Sequence, residues 1–477
     1  MSKRPNLIYV FADQLRYDAL GCTGNAKSHT PNIDRFAANA AHLRQFVSNT
    51  PVCTAYRASL MTGKHTTSHG MVINELRIHP NQTCLGHLLT SAGYVTSYIG
   101  KWHLFANEFG NHFDPVNSFV PRGPHRLGFD GEWKAYNFNH ENYSPSAYYH
   151  EETPEKIYYP DFEATHQTDF AIDAINRYAD ADDPFAIVLS YGPPHDPWGP
   201  DHVPQKYWEM FKNTPMPNPP NYAADDDPYS DNWARFKPGE REDLENWRRG
   251  YFAQIAALDA EFGRLIDALE ASGEADNTIV VFTSDHGEMF GAHGRRAKLI
   301  FYEEAAHVPF FIRWPAGLEP AAHDFAAGAV DVLPTICGLL GIDVPADVEG
   351  QNLAPFLKGA DGAPEMSLLM GCGATAIWED GHEWRAVRDS RFTYARYRVD
   401  GAEVLFDRNN DPFEQTNLAE DPSFAADKER LKTWMKTEMA RINDTFEASR
   451  YYEAHFADDN RCIVRSATAD FGPAVPV

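Results

Sequence analysis

Nothing in this sequence approaches the roughly 20 consecutive apolar residues that a membrane-spanning helix needs, so no membrane role is expected. Cysteine is scarce: six in 477 residues, at 22, 53, 84, 337, 372 and 462, with no C-x-x-C pair and no dense grouping. That excludes a disulfide framework. Five of the six read as small buried hydrophobes, and Cys53 stands apart for reasons given below. Internal repeats and low-complexity tracts are absent. Positive charge is in deficit, with 42 Lys and Arg against 68 Asp and Glu, a formal net charge of -26. A field of that sign repels polyanions, which argues against nucleic acid as a partner. Any anionic substrate must then be captured by a local basic pocket. The apolar stretch at residues 7–12 is too short for a signal region and no small-residue cleavage pattern follows it. A cytoplasmic location is the expectation.

What is present is an ordinary globular balance, 43% hydrophobic and 23% charged, in a chain long enough for one large and one smaller domain. Apolar runs at 7–12, 94–99, 186–190 and 278–283 read as buried strands. Helical patterns lie between them, at 169–178 and 247–269, the second placing Phe252, Ile255, Leu258, Phe262 and Leu265 on one stripe. Alternating strands and helices predict an α/β fold with a large, mostly parallel sheet flanked by helices. The catalytic domain is placed at 1–360. Beyond it, 361–477 reads as a smaller α+β domain and tail, with antiparallel strands at 384–388, 392–397 and 403–407 and a helix at about 425–443. Residues 105–165 and 196–245 are rich in Pro, Asn, His, Tyr and Trp and lack periodicity, so they read as insertions shaping a substrate entrance.

Ligands of open α/β sheets bind beyond the carboxyl ends of the strands. The four runs deliver Asp13 and Gln14, Lys101 and His103, His195, and Asp285 and His286 to such an edge. Asp13 and Asp285 suit a hard divalent cation, with Gln14 adding a carbonyl oxygen and His286 an imidazole nitrogen. Two independent helix N-caps are the competing reading of the aspartates.

The most informative segment runs from Pro51 to Gly63. Cys53 opens a helical pattern, whose N-terminus favours negative charge, and Arg57 lies one turn on, on the same face. Read from the residues alone, this is an activated cysteine beside an arginine in an anion site, and a thiolate nucleophile is plausible chemistry there.

The segment also resembles the signature of the formylglycine-dependent (type I) sulfatases of the alkaline phosphatase superfamily, in which Arg follows the Cys at +4 and Leu/Met-Thr-Gly at +8 to +10. Met61, Thr62 and Gly63 fall on those positions. A second signature of that family is similar to the stretch from Gly93 to His103. Pro194-His195, Ser284-Asp285-His286-Gly287, Lys298 with Tyr302-Glu303, and Val308-Pro309 follow in the family's order. Arg385, Arg388, 405–407 and 411–417 are similar to its closing sheet.

The resemblance implies that Cys53 is oxidised by a maturase to formylglycine, whose hydrated aldehyde, a metal-bound gem-diol, attacks the sulfur of a sulfate monoester. Arg57, Lys101 and Lys298 would neutralise the sulfate oxygens, with Lys101, His195 and Lys298 touching substrate. His195, with Lys298, would protonate the leaving oxygen, and His103 would take the second hydroxyl's proton. The metal shell would be Asp13, Gln14, residue 53, Asp285 and His286, holding calcium first, with manganese or zinc admitted by the imidazole. Products would be an aryl or carbohydrate alcohol and inorganic sulfate.

Three positions depart from the family's commonest pattern. Ala55 stands where Pro is usual, which weakens recognition by the aerobic maturase. Gln14 and His286 stand where Asp and Asn are usual, a pair shared with phosphonate monoester and phosphodiester hydrolases, the alternative reading. Lys101 and His103 favour the sulfate ester. A non-catalytic sulfate- or glycan-binding relative is a third reading. His65, His69, Asn74, Arg122, His125, Arg126, Trp198 and His202 are candidates for the substrate lining. The pattern leaves the oligomeric state, including a homo-oligomer, open.

Overall fold

Every residue of the first strand, β1 (Asn6–Ala12), is buried. In the computed structural model its side chains alternate between two apolar cores. Leu7, Tyr9 and Phe11 enter one, and Ile8, Val10 and Ala12 the other. A strand covered on both faces reads as an unbroken apolar run, and each fully buried Leu, Ile or Phe contributes about 1.5–3 kcal/mol. The structure describes residues 4–74, 76–106, 118–139, 143, 147–179 and 181–455, with the backbone of 462–463.

Among these residues the large sheet has eight strands: β1, β2 (Ala41–Val47), β3 (Val95–Lys101), β4 (Glu132–Tyr136), β5 (Phe185–Ser190), β6 (Thr278–Ser284), β7 (Phe310–Arg313) and β8 (Ala321–Gly328). Their spatial order is β8-β2-β7-β6-β1-β5-β3-β4. All pairs are parallel except those of β7, which runs antiparallel to β6 and β2. The sheet is therefore mostly parallel and covered by helices, as expected. On one face lies α1 (Cys53–Thr62), with Tyr56, Ala58, Leu60 and Met61 in the core. On the other lie α2 (Glu163–Tyr178) and the 32-residue α3 (Glu240–Ala271), whose Ile255, Leu258, Phe262 and Leu265 are buried while Phe252 is half-buried.

Both long helices start earlier than their apolar periodicity suggests. The first turn of α3 carries Glu240, Glu242 and Asp243, which suit a helix N-terminus but not an apolar stripe. The segment 105–165, read as an insertion, contains the edge strand β4. Its sequence EWKAY is too short and too polar to stand out, although Trp133 and Tyr136 are buried. Residues 107–117, 140–142 and 144–146 of that segment lie outside the described residues, as do the Cys462 side chain and the tail beyond 463. Cys22 is exposed, against the reading of a buried hydrophobe, whereas Cys84, Cys337 and Cys372 are buried.

The boundary placed at residue 360 falls in an exposed turn. After it comes an antiparallel sheet of four strands, β9 (Ser367–Gly371), β10 (Trp384–Arg388), β11 (Phe392–Tyr397) and β12 (Glu403–Asp407), then α4 (Ala425–Arg441). Leu368, Val387, Tyr394 and Leu431 join the same core cluster as β1, so the small sheet is packed on the large one. No helix among the described residues is long and apolar enough to cross a membrane.

Candidate active site

Register brings the key strands to one edge. Ala12 of β1 pairs with Ser284 of β6, Phe11 with Ser190 of β5, and Ser190 with Gly100 of β3. Residues just past those pairs must emerge level with one another, and these are Asp13, Gln14, Asp285, His286, Lys101 and His103. Cys53 comes to the same place as the first residue of α1, entered from extended backbone at Val52. Gly63 ends that helix in the left-handed region, at φ +66, where a Cβ would lie 2.8 Å from Val348 Cγ1.

The two aspartates divide their oxygens. Oδ2 of each accepts from Arg57 Nη2, at 2.9 Å for Asp13 and 3.2 Å for Asp285. Oδ1 of each lies 3.5 Å from His286 Nε2. His286 Nδ1 is 2.9 Å from the carbonyl of Gly287. A carbonyl only accepts, so Nδ1 carries the proton and Nε2 presents its lone pair to the carboxylates. Cys53 Sγ is 3.2 Å from that nitrogen and 3.8 Å from Asp13 Oδ1. One ligand atom from each of Asp13, Cys53, Asp285 and His286 lies within 4.8 Å of the others, and all four residues are buried. Two carboxylate oxygens and an imidazole lone pair facing one another fit a divalent cation. Gln14 donates through Nε2 to Glu288 Oε2 at 2.5 Å, and its Oε1 is 3.4 Å from Lys298 Nζ.

The charges follow from this packing. Burial and the Cys53 sulfur push Asp13 up, but Lys101 and Arg57 outweigh them and hold its carboxyl well below the usual range. Burial and the neighbouring Asp13 charge raise Asp285. Burial opposes ionisation of Cys53, yet the Lys101 and Lys298 ammonium groups hold its thiol well below the ordinary value. Burial works against the Lys298 charge, but Cys53 and the aspartates raise its pKa and keep it an ammonium.

Lys298 Nζ is 3.2 Å from Cys53 Sγ and 3.1 Å from His195 Nε2. An ammonium only donates, so His195 Nε2 accepts, and its Nδ1 faces the Asp196 carboxylate at 3.1 Å. The loop holding Lys298 is pinned from both sides. Leu299 N donates to Pro51 O at 2.9 Å, Trp384 Nε1 of β10 donates to Leu299 O at 3.2 Å, and Ala297 N donates to Glu288 Oε1 at 2.8 Å. The small sheet thus helps position Lys298 in the loop between β6 and β7. Gln14, His103, Ala297 and Leu299 all have positive φ, backbone strain of the kind that collects at functional sites and persists only where the surroundings enforce it.

Two placements differ from the expectation. Arg57 does not face a substrate. Its guanidinium is wholly buried, spent on the two aspartates, on Lys101 O at 2.6 Å and on Ser190 Oγ at 2.7 Å. Breaking such a buried ion pair costs roughly 3–5 kcal/mol, so Arg57 fixes the strand ends against one another. Lys101 lies beneath the site, with Nζ 2.7 Å from Asp13 Oδ2 and 3.9 Å from Cys53 Sγ. His103 sits against the Cys53 sulfur, its ring 4.6 Å from that of Phe138.

A cavity of about 130 Å³ opens above Cys53, lined in part by Gln14, Asn74, His195, Glu288 and Lys298. Of the eight lining candidates only Asn74 borders it. His69 is buried against Ser59 Oγ. Arg126 is buried on the carbonyls of Val120 and Glu151. Trp198 is buried and donates to Pro194 O at 2.7 Å, bracing the His195 loop. His65 is buried, Arg122 exposed, and His125 packs on Phe105. His202 lines a separate groove. Sequence reasoning missed Glu288, three residues past Asp285, and Trp233, Arg296 and Thr375. A second ligand-type cluster, His293, Glu304 and Glu414, is threaded by Asn221, whose Nδ2 lies 3.1 Å from His293 Nε2 and 2.7 Å from Glu304 Oε1.

The family described as Sulfatase matches residues 5–342, and the one described as N-sulphoglucosamine sulphohydrolase, C-terminal, matches 291–441. An ulvan-active sulfatase of Formosa agariphila is 33% identical over 94% of this chain and 84% of its own length. An endo-4-O-sulfatase of Bacteroides thetaiotaomicron is 27% identical over 93% of both. A solved sulfatase structure from Bacteroides fragilis superposes with a TM-score of 0.83 at 30% identity, covering 95% of this chain and 98% of that one. The chain belongs to the sulfatase family, the type I branch of the alkaline phosphatase superfamily, and is a sulfuric ester hydrolase.

Proposed function

We propose that this sulfatase acts on carbohydrate sulfate monoesters, with Cys53 as the precursor of its nucleophile and Asp13, Gln14, Asp285 and His286 holding its metal. The observation that carries the reading is the placing of Cys53 Sγ 3.2 Å from both His286 Nε2 and Lys298 Nζ. Ulvan and the 4-O-sulfate named for the two relatives support a sugar over an aryl ester. Calcium is the first choice of ion, and the His286 nitrogen admits manganese or zinc.

When bound, the cation supplies Lewis acidity to a hydroxyl nucleophile, which maturation of Cys53 to formylglycine provides as an aldehyde hydrate. Lys298 meets the sulfate oxygens from the cavity side and Lys101 adds positive charge from beneath, so charge redistributing onto them is met by fixed cations. Lys298 and His195 share a proton across their 3.1 Å contact and deliver it to the departing alcohol oxygen. His103, against residue 53, receives the proton released there when sulfate is expelled. Arg57 keeps Asp13 and Asp285 in register throughout. Ala55 makes maturation dependent on a maturase that accepts a non-proline residue at that position.

Matured enzyme is expected to show a higher kcat/KM on a sugar sulfate or 4-nitrophenyl sulfate than on phenyl phosphonate monoesters. The opposite ranking would move the assignment to phosphonate monoester hydrolysis, which the Gln14 and His286 pair would suit.

A further inference from the structure

Trp233 is the one tryptophan among the described residues that is exposed, at 50%, and it borders the cavity above Cys53. An indole left half open in a cavity wall forgoes burial that a chain normally exploits. It is also held firmly in that position. Asp231, only 5% exposed, accepts through Oδ1 from the backbone N–H of Trp233 at 3.1 Å and of Ala234 at 2.8 Å. Its Oδ2 accepts from the backbone N–H of Thr375 at 2.5 Å. Arg296 N donates to Ala234 O at 2.9 Å, tying the same turn to the strand of loop that ends in Lys298. One buried carboxylate therefore locks the tryptophan turn to the loop between β9 and β10, with a second tie to the catalytic loop.

Thr375 supplies an independent observation. It lines the same cavity, is 6% exposed, and its Oγ1 is buried with no hydrogen-bond partner in the protein. Buried hydroxyls are nearly always paired; this one is sealed within the wall, and a change of χ1 rotamer is what would turn it outward to a ligand. An aromatic face and a lone hydroxyl on one wall match a pyranose, which offers a flat C–H face and a rim of hydroxyls. A simple aryl ester offers the face without the rim.

We infer that Trp233 and Thr375 form the sugar subsite: the indole stacks on the ring that bears the sulfate, and the Thr375 hydroxyl turns outward to bond a hydroxyl of that ring. Asp231 is a positioning residue for both. This rests on the carbohydrate reading given above and extends it to particular side chains.

The test is steady-state kinetics of matured, metal-loaded enzyme on a panel of sulfated monosaccharides, with 4-nitrophenyl sulfate and an acyclic alkyl sulfate as controls. Trp233→Ala is expected to raise KM for the preferred sugar about tenfold, equivalent to about 1.4 kcal/mol, with little change in kcat. Trp233→Phe should recover most of that loss, and the acyclic ester should not register either change. Thr375→Val should weaken the sugar about tenfold and spare 4-nitrophenyl sulfate. Wild-type turnover of aryl but no sugar sulfates would overturn the carbohydrate reading and this inference with it. Sugar turnover with a KM indifferent to Trp233, or equal losses on every substrate, would overturn the inference alone.

Discussion

Replacing Cys53 with alanine is expected to abolish sulfate ester turnover, lowering kcat by about 10⁴–10⁶-fold, the scale seen when a nucleophile is removed from a catalytic unit. Nothing nearby can substitute. Lys101 and Lys298 are cations whose lone pairs are occupied by protons, and Asp13 and Asp285 are committed to Arg57 through Oδ2. The same change alters only one small side chain at a helix N-terminus whose core side chains, Tyr56, Leu60 and Met61, remain. A melting temperature within a few degrees of wild type should therefore accompany the lost activity, read by circular dichroism on the preparation assayed. Retained turnover in the variant would mean that the nucleophile lies elsewhere. In wild-type protein from its own host, mass spectrometry of the peptide spanning residue 53 should find the aldehyde in place of the thiol.

The second large effect concerns the leaving group. His195→Ala removes the partner that shares a proton with Lys298 at 3.1 Å. Proton donation to a departing group is worth about 10²–10⁴-fold, but only where the departing oxygen needs a proton. A sugar alkoxide needs one, whereas nitrophenolate is stable without it. Turnover of a sugar sulfate should fall by that factor while 4-nitrophenyl sulfate loses only a few-fold. Equal losses on both would assign His195 to binding rather than proton transfer. Lys298 is not a clean probe of the same point, because it also contacts Cys53 and Gln14.

Much of this was readable before any coordinates, and the reason is physical. Strands buried on both faces must be continuous apolar runs, so β1, β3, β5 and β6 were visible, and the polar residues that end them had to collect at one sheet edge. β2, β4, β7 and β8 were not visible. The exposed and half-buried positions of β2 and β8 dilute the apolar signal, and β4 and β7 are only five and four residues long. Arg57 was correctly placed on the Cys53 side of α1, but its reach was misread. A guanidinium spans several ångströms, and spacing alone does not say whether it meets a substrate or the two buried carboxylates below. The specificity wall was least legible. Trp233 and Thr375 are 142 residues apart and meet through Asp231, a link that no periodicity encodes.

The account stands on the cradle formed by the strand ends, and an anomalous-difference map from crystals soaked in Mn²⁺ tests it most directly. The expected result is one strong peak at bonding distance from Oδ1 of Asp13 and Asp285, from His286 Nε2 and from Gln14 Oε1, with residue 53 completing the shell. A peak seated instead among His293, Glu304 and Glu414, or none near residue 53, would contradict it.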